Sequence, residues 1–241
     1  MAKTHSYTPV LGKRIRVTPL DTCGKFNKAQ HKPVATSGFV SVKLAAEVED
    51  GTEITVRKAD GSLCVNEKQS NTFKYFTVEL EFCGVNPSVL DIVTNATKYL
   101  DHAGDTAGFK VAYGKIEKKF ALELWTGLSG QACAEGAEDA SGYLLLPFIT
   151  AGTIGDIEVT GEDAISFSMT GAVTKSGNAW GTGPYDVVKK AKQGGGGFEN
   201  AKLPTPLDPL DPLLMIDTAL APPPDRAPPF PVPCETPSPR H

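Results

Sequence analysis

The chain has 241 residues, of which 40% are hydrophobic and 22% are charged, and its formal net charge is −4. This balance excludes both a histone-like nucleic-acid binder and a wholly disordered chain. Prolines are concentrated at one end, since thirteen of the nineteen fall within residues 204–241. We therefore expect a globular part of about 190 residues, large enough to bury its own core, followed by an appendage.

Membrane insertion, export and metal binding find no support in the sequence. No stretch approaches the roughly 18 apolar residues of a membrane-spanning helix, and residues 1–10 lack the apolar core of a signal peptide. The five cysteines form no CxxC pair and have no histidine at a metal-binding spacing; they are Cys23, Cys64, Cys83, Cys133 and Cys234. We expect reduced, mostly buried thiols in an unexported protein.

The N-terminal region is basic. Residues 1–43 hold eight Lys or Arg and one acid, Asp21, whereas the remaining residues carry 16 basic and 27 acidic side chains. Two interpretations fit this asymmetry. The region is either a solvated arm or an arm that docks on an acidic surface, such as that of another copy of the chain.

The body of the chain alternates apolar and polar residues with the period of β-strands. Four long segments do so, at 40–48, 76–82, 120–124 and 165–169, and shorter candidates lie at 13–18, 53–58, 62–66, 143–149 and 156–160. Asp60-Gly61 predicts a hairpin turn between two of them. One helix is predicted from the N-cap Asn86 and Pro87 to about Ala96. The sequence thus predicts an all-β sandwich or barrel with one short α-helix.

The long strands each have one polar face that is rich in acids. These acids are Glu47, Glu49, Glu79, Glu81 and Glu123. An antiparallel sheet commonly exposes one face to water, so an ordinary solvated face explains them. A face that lines an aqueous passage for a polyanion, and repels it, is the alternative explanation.

The chain changes character after Val188. Residues 189–202 are rich in Lys and Gly and predict a flexible linker. Residues 203–241 form a proline-rich extension with an apolar island at 207–216. We expect this extension to be either disordered or laid along another surface. The domain prediction is therefore a β domain at 1–188 with a basic N-terminal arm, the linker, and the extension.

A search for catalytic motifs is negative. The four histidines, His5, His31, His102 and His241, fit no metal-binding spacing, and the Gly194–Gly197 run lacks the Lys-Ser/Thr of a phosphate loop. No GxSxG motif is present. We predict that the protein is not an enzyme, with no catalytic residue, no metal and no cofactor.

Five segments together resemble the major tail tube proteins of long-tailed (siphovirus) bacteriophages, especially those of actinobacteria. They are 10–18 (VLGKRIRVT), 38–42 (GFVSV), 120–127 (FALELWTG), 142–148 (GYLLLPF) and 178–185 (NAWGTGPY). The resemblance spans roughly residues 7–188 and leaves out the proline-rich extension. It implies a β-sandwich flanked by a helix that assembles into hexameric rings, which stack into a tube.

The same resemblance implies a role and partners. The tube would lie in the tail of the virion, after synthesis in the host cytoplasm, and would conduct DNA during ejection without binding it specifically. Its partners would be other copies and the tape measure, tail tip and terminator proteins, with no membrane. Six copies that each lend four strands give a barrel with a backbone diameter of roughly 50 Å, wide enough for a duplex.

Under this interpretation, site residues fall into two groups. The five acids above would face the lumen. Candidate inter-subunit contacts are Lys13, Arg14, Arg16, Trp125, Trp180 and Tyr185, although the three aromatics fit an intramolecular core as well. Two rival functions remain: another virion component, such as a capsid decoration or tail terminator protein, and a carbohydrate-binding β-sandwich that uses Tyr113, Trp180 and Tyr185 as an aromatic platform.

Overall fold

The computed structural model describes residues 9–29, 31–83, 86–128, 141–157, 166–194 and 196–225, with backbone only for residues 9, 10 and 128. These residues form fifteen β-strands and one short α-helix, and all their strand pairings are antiparallel. The predicted fold class, all-β with one short helix, is confirmed. Within the described ranges no helix is long and apolar enough to span a membrane.

Nine strands build the main sheet, and seven of them lie side by side. In spatial order these are β2 (Val34–Thr36), β1 (Pro9–Leu20), β9 (Lys119–Leu128), β10 (Ser141–Thr150), β12 (Phe167–Thr174), β6 (Thr72–Phe82) and β3 (Phe39–Glu49). Two shorter strands join them, because β11 (Thr153–Ile154) pairs with β12 and β15 (Leu214–Thr218) pairs with β10. The remaining strands form three separate hairpins.

The hairpins are local pairings of neighbouring strands. They join β4 (Glu53–Arg57) to β5 (Leu63–Lys68), β7 (Ala96–Leu100) to β8 (Thr106–Val111), and β13 (Val188–Ala191) to β14 (Phe198–Ala201). The predicted turn at Asp60-Gly61 is confirmed: Gly61 has a φ of +82°, in the region that glycine adopts without steric cost. The strands predicted at 13–18, 53–58, 62–66 and 143–149 are also present. Ile165 and most of the segment 156–160 lie outside the described residues.

The helix α1 (Pro87–Val93) starts where the sequence predicts it but ends three residues before the predicted end, because Ala96 begins β7. The Asn86 side chain accepts a hydrogen bond from the Ser88 N–H at 2.9 Å, which satisfies a donor that the first turn leaves unpaired. At the other end, the hydroxyl of Thr94 donates to the carbonyl of Leu90 at 2.7 Å. The helix is therefore capped by side chains at both ends.

The main sheet bends at β10 into two packed layers. β10 pairs with β12 only at Ile149 and Thr150, whereas it pairs with β9 along most of its length. Side chains from both parts of the sheet, together with the apolar face of α1, form the first core. Its fully buried members include Ile15, Val17, Val78, Leu80, Leu90, Phe120, Leu122 and Met169. The shared core makes the fold a β-sandwich closed on one side by the helix.

A second core lies on the other face of β9 and β10. It contains Ala121 and Trp125 of β9, Tyr143 and Leu145 of β10, and C-terminal residues that cover them, Trp180, Val187 and Leu203. The prediction that one face of 120–124 is polar and solvated is therefore wrong. A segment from the C-terminal part of the chain covers that face, so β9 is buried on both sides.

The described residues between 189 and 225 form strands and contacts with the body of the protein. The predicted flexible linker at 189–202 contains a hairpin instead, because the backbone groups of 188–191 pair with those of 198–201. We call residues 203–225 the C-terminal strap. Its strand β15 pairs with β10 at 141–145, and Leu207, Leu214 and Ile216 pack on the second core. Of the two alternatives for the extension, this part is laid along the chain's own surface.

The cysteines differ from the prediction. Cys23 and Cys64 have free thiols but are exposed rather than buried, and Cys83 is disulfide-bonded. Cys133 and Cys234 lie outside the described residues.

Candidate functional site

A long β-hairpin arm projects from the sandwich. We define the hairpin arm as residues 45–75, which comprise the end of β3, the β4–β5 hairpin and the start of β6. Apart from the half-buried Gly51, all its residues are exposed. The chain reverses direction only at the tip, beyond 57, so the arm is a two-stranded ribbon with no layer packed on either face.

The arm carries apolar side chains that nothing in the single chain covers. Val56 and Val65 are direct cross-strand partners and are 47% and 40% exposed. Val48 and Phe73 form a second such pair nearer the body. The exposed apolar members of the arm are Val48, Ile54, Val56, Leu63, Val65, Phe73 and Tyr75. Seven exposed apolar side chains on one hairpin, four of them in cross-strand pairs, are typical of a protein interaction site.

The strand pairing of the arm is interrupted at residues 50–52 and 69–71, which we call the elbow. There the Gln69 N–H donates to the Thr52 carbonyl at 3.0 Å, and the Gly51 N–H donates to the Asn71 side chain at 3.1 Å. A Cβ atom at Gly51 would overlap the backbone carbonyl of Gln69. Only glycine allows this approach of the two strands, so a larger residue at position 51 would force them apart.

Four of the five predicted lumen acids share one face of the β3–β6 ribbon. Glu79 and Glu81 pair with Lys43 and Ser41, and their side chains contact these partners at 2.9 and 3.2 Å. On the same face, Glu47 and Glu49 alternate with the apolar residues of β3 and are exposed. Glu49 forms an ion pair with Lys74 at 3.0 Å. This face is polar and acidic, with Glu79 and Glu81 half-buried beside the body and Glu47 and Glu49 exposed further out.

The fifth acid, Glu123, is fully buried, and the prediction that it faces a lumen is wrong. Its carboxylate accepts two hydrogen bonds from the Arg16 guanidinium, each at 2.5 Å, and one from the Tyr143 hydroxyl at 2.7 Å. The guanidinium lies 3.4 Å from the centre of the Tyr185 ring and 5.1 Å from that of Trp125. The cluster joins β1, β9, β10 and the C-terminal part of the chain.

Burial and charge act against each other in this cluster. Burial alone would lower the pKa of Arg16, but its hydrogen bonds to Glu123 and the carboxylate charge outweigh burial and raise that pKa above its ordinary value. The pKa of Tyr143 is raised well above 10, first by burial and then by the neighbouring carboxylate. The cluster therefore holds one compensated ion pair and a neutral phenol.

Most of the predicted inter-subunit contacts are used within the chain. Arg16 is taken up by Glu123, and Trp125 and Trp180 are core residues. Arg14 donates to the carbonyl of Pro223 at 2.6 Å and lies 3.5 Å from the carboxylate of Asp225, so it holds the strap. For Trp125 and Trp180 the alternative of an intramolecular core is therefore confirmed. Arg14 and Arg16 have their charged partners within the chain.

The other two predicted contacts differ from each other. Lys13 is exposed, and Tyr185 is half-buried with its hydroxyl 3.0 Å from that of Thr18. Because Trp180 is 7% exposed, the aromatic platform proposed for a carbohydrate-binding module, which needs Tyr113, Trp180 and Tyr185 together at the surface, is not formed.

The predicted strands at 40–48, 53–58 and 62–66 cover only part of the arm and leave out residues 67–75, and the arm was not predicted as a site. The sequence does contain a pattern that indicates the arm. Two nested hairpins with matched strand lengths are interrupted on both sides by turn residues, Asp50-Gly51 and Ser70-Asn71. A ribbon of this length extends past any sandwich of ordinary thickness.

No group of three or more His, Cys, Asp or Glu residues that could hold a metal ion occurs in the described part of the chain. A scan against protein-family models finds no match, and a search of curated proteins finds none either.

Proposed function

We propose that this chain is a structural subunit that assembles with copies of itself, as the major tail tube protein of a long-tailed bacteriophage. In this role its hexameric rings stack into a tube through which DNA passes into the host, and the protein resides in the virion tail. The observation that carries the proposal is the exposed apolar hairpin arm.

The arm is unfavourable for a protein that works alone. A two-stranded ribbon in water is at best marginally stable, and this one keeps its apolar pairs in contact with solvent. Burial of Val56, Val65, Val48 and Phe73 against another subunit would recover a few kcal/mol per copy at about 25 cal/mol per Å². In a ring or stack, the arm of each copy would pack against one neighbour, and the body of the same copy would contact the arm of another neighbour.

The acidic face supports the same function. It lies on β3 and β6, and β3 is the last strand in the order of the main sheet. A long edge strand invites pairing with another chain, and closure into a ring covers such edges. With this face turned to the channel, Glu47, Glu49, Glu79 and Glu81 repel the phosphates of passing DNA and keep it from adhering.

The proposal is tested by replacement of the paired valines of the arm. Val56→Thr with Val65→Thr keeps β-branched side chains but removes the apolar contact. The matched control is Thr55→Ser with Asn66→Ser, which alters the pair on the opposite face of the same hairpin. Light scattering of the wild-type protein should show large particles, which the valine variant loses and the control retains. Equal assembly of all three proteins would remove the arm from the proposal.

A further inference from the structure

A groove of about 670 Å³ lies on the body, away from the hairpin arm. Four parts of the chain build it: the segment between β1 and β2, the start of α1, the strand β7, and the loop before β13. Phe26 and Tyr185 form part of its wall, with ring centroids 6.0 Å apart.

The charged residues that line this groove are all of one sign. Lys28, Lys32 and Lys98 are exposed, His31 also lines the groove, and none of the described residues that line it is acidic. A groove with lysine ammonium groups and an aromatic wall can bind a segment in which acidic and apolar residues alternate. The ammonium groups would pair with the acids, and the aromatic rings would contact the apolar side chains. The basic N-terminal region thus contributes a shaped surface and not only a diffuse charge.

The chain itself contains a segment of that chemistry. Residues 47–53 hold four acids, Glu47, Glu49, Asp50 and Glu53, around the exposed Val48. This segment ends β3 and forms one side of the elbow of the hairpin arm. Its acids and the groove lysines are all exposed in the single chain, so neither surface covers the other within one copy.

The elbow extends far enough to reach a neighbour. Leu44 is the last residue of β3 that packs against the core, and Asp50 follows six residues later. At about 3.3 Å per strand residue, the elbow lies roughly 20 Å beyond the edge of the core. This distance exceeds the radius of gyration of a domain of this size, about 17 Å.

We propose that the acidic elbow of one copy docks into the basic groove of the next copy. The inference rests on the proposed self-assembly and specifies its contact: Lys28, Lys32 and Lys98 receive the carboxylates of Asp50 and Glu53, and Val48 enters between them. Glu47 and Glu49 alternate with Val48 along β3 and stay on the channel face. The contact is head-to-tail, with a different surface on each partner, so it generates rings or open stacks rather than closed two-fold dimers.

Charge exchange tests this contact. The groove variant carries Lys28→Glu and Lys32→Glu, and the elbow variant carries Asp50→Lys and Glu53→Lys. Each alone should weaken assembly by about tenfold or more, because like charges then face each other. A chain with all four substitutions should assemble again, as should an equimolar mixture of the two variants. The matched control, Lys110→Glu with Lys115→Glu, reverses two exposed lysines outside the groove and should assemble normally.

A second measurement works even where assembly is weak. Equal amounts of ¹⁵N-labelled and unlabelled full-length chains are treated with a zero-length carbodiimide cross-linker, and the products are analysed by mass spectrometry. Cross-links of mixed isotope between the groove lysines and Asp50 or Glu53 are expected. Their absence would overturn the inference.

The outcomes separate this contact from the proposed function. Tubes that form normally from the groove variant would overturn the contact and leave the tail-tube proposal standing. The groove variant could also assemble normally but lose the binding of a short single-stranded oligonucleotide. That result would show that the groove binds a free polyanion, and it would overturn the elbow–groove contact. A wild-type chain that never self-associates and gives no mixed-isotope cross-link would refute both.

Discussion

Arg16 on β1 and Glu123 on β9 are direct partners in the sheet register, and the carboxylate of their ion pair has no exposure to solvent. The Arg16 guanidinium packs on the Tyr185 ring, and the Glu123 carboxylate accepts a hydrogen bond from the Tyr143 hydroxyl. The ion pair fixes β1 against the centre of the sandwich and takes both side chains away from any role in assembly. Reversal of the charges of Lys13, Arg14 and Arg16 together would therefore damage the fold before it tested a subunit contact.

Removal of one member of this pair should be severe. Arg16→Met leaves the Glu123 carboxylate buried without its counter-charge, and we expect a loss of about 3–5 kcal/mol in the free energy of unfolding. Adding Glu123→Gln removes the stranded charge and keeps an acceptor for Tyr143, so the double variant should regain much of that loss. Denaturant unfolding measures the free energy of unfolding of the single and the double variant, with Lys13→Met as the control at an exposed position. A double variant no more stable than Arg16→Met would contradict this account.

Tyr143 should make stability depend on alkaline pH. Its pKa is raised in the folded protein, whereas in the unfolded chain it is about 10. The neutral phenol therefore contributes stability that is complete below about pH 10 and is lost as pH rises above that value. In the wild type, the free energy of unfolding should fall above pH 10 by up to about 1.4 kcal/mol per pH unit from this group. Tyr143→Phe should have a shallower slope, and identical slopes would show that Tyr143 ionises freely.

The C-terminal strap should contribute to global stability through one buried hydroxyl. The hydroxyl of Thr218 donates to the Val187 carbonyl at 2.7 Å and accepts from the Leu220 N–H at 3.1 Å. Thr218→Val keeps the shape but leaves both backbone groups without this partner, and should cost about 1–3 kcal/mol. Asp217→Asn, at the exposed neighbouring position, should cost less than about 0.5 kcal/mol. Thermal unfolding that did not distinguish the two variants would mean that the strap is not part of the folded unit.

The elbow should control assembly without affecting the stability of the body. Gly51→Ala places a Cβ against the Gln69 carbonyl and forces the two strands of the arm apart. Assembly measured by light scattering should fall, whereas the free energy of unfolding should change by less than about 0.5 kcal/mol, because the side chains of residues 52–70 are all exposed. Gly108→Ala is the control, since a Cβ there meets nothing within 4 Å. Full assembly of Gly51→Ala would show that the elbow geometry is unimportant.

Elements that depend on neighbouring residues could be predicted from the sequence, and those that depend on distant packing could not. Asn86-Pro87 and Asp60-Gly61 define a helix start and a turn through local backbone chemistry, so both were predicted correctly. The alternation of β3 and β6 correctly separated an acidic face from a core face. Glu123 alternates in the same way as Glu79, and no local feature shows that a segment more than 50 residues later covers it.

The strap illustrates the same limit. Its proline content suggests a chain that cannot join a sheet, yet the prolines fall outside β15 and leave Leu214–Thr218 free to pair with β10. The apolar island was recognised, but its partner was not, because strand pairing across 70 residues leaves no local pattern. Likewise, the ion pair of Arg16 with Glu123 follows from the register of β1 on β9, which sequence alternation does not specify.

Negative-stain electron microscopy of the purified full-length chain tests the central claim most directly. The account predicts stacked rings or long tubes with a stain-filled axial channel, six subunits in each ring, and loss of these particles in the Val56→Thr, Val65→Thr variant. A monodisperse monomer that still does not add to preformed tubes when these are supplied as seeds would contradict it.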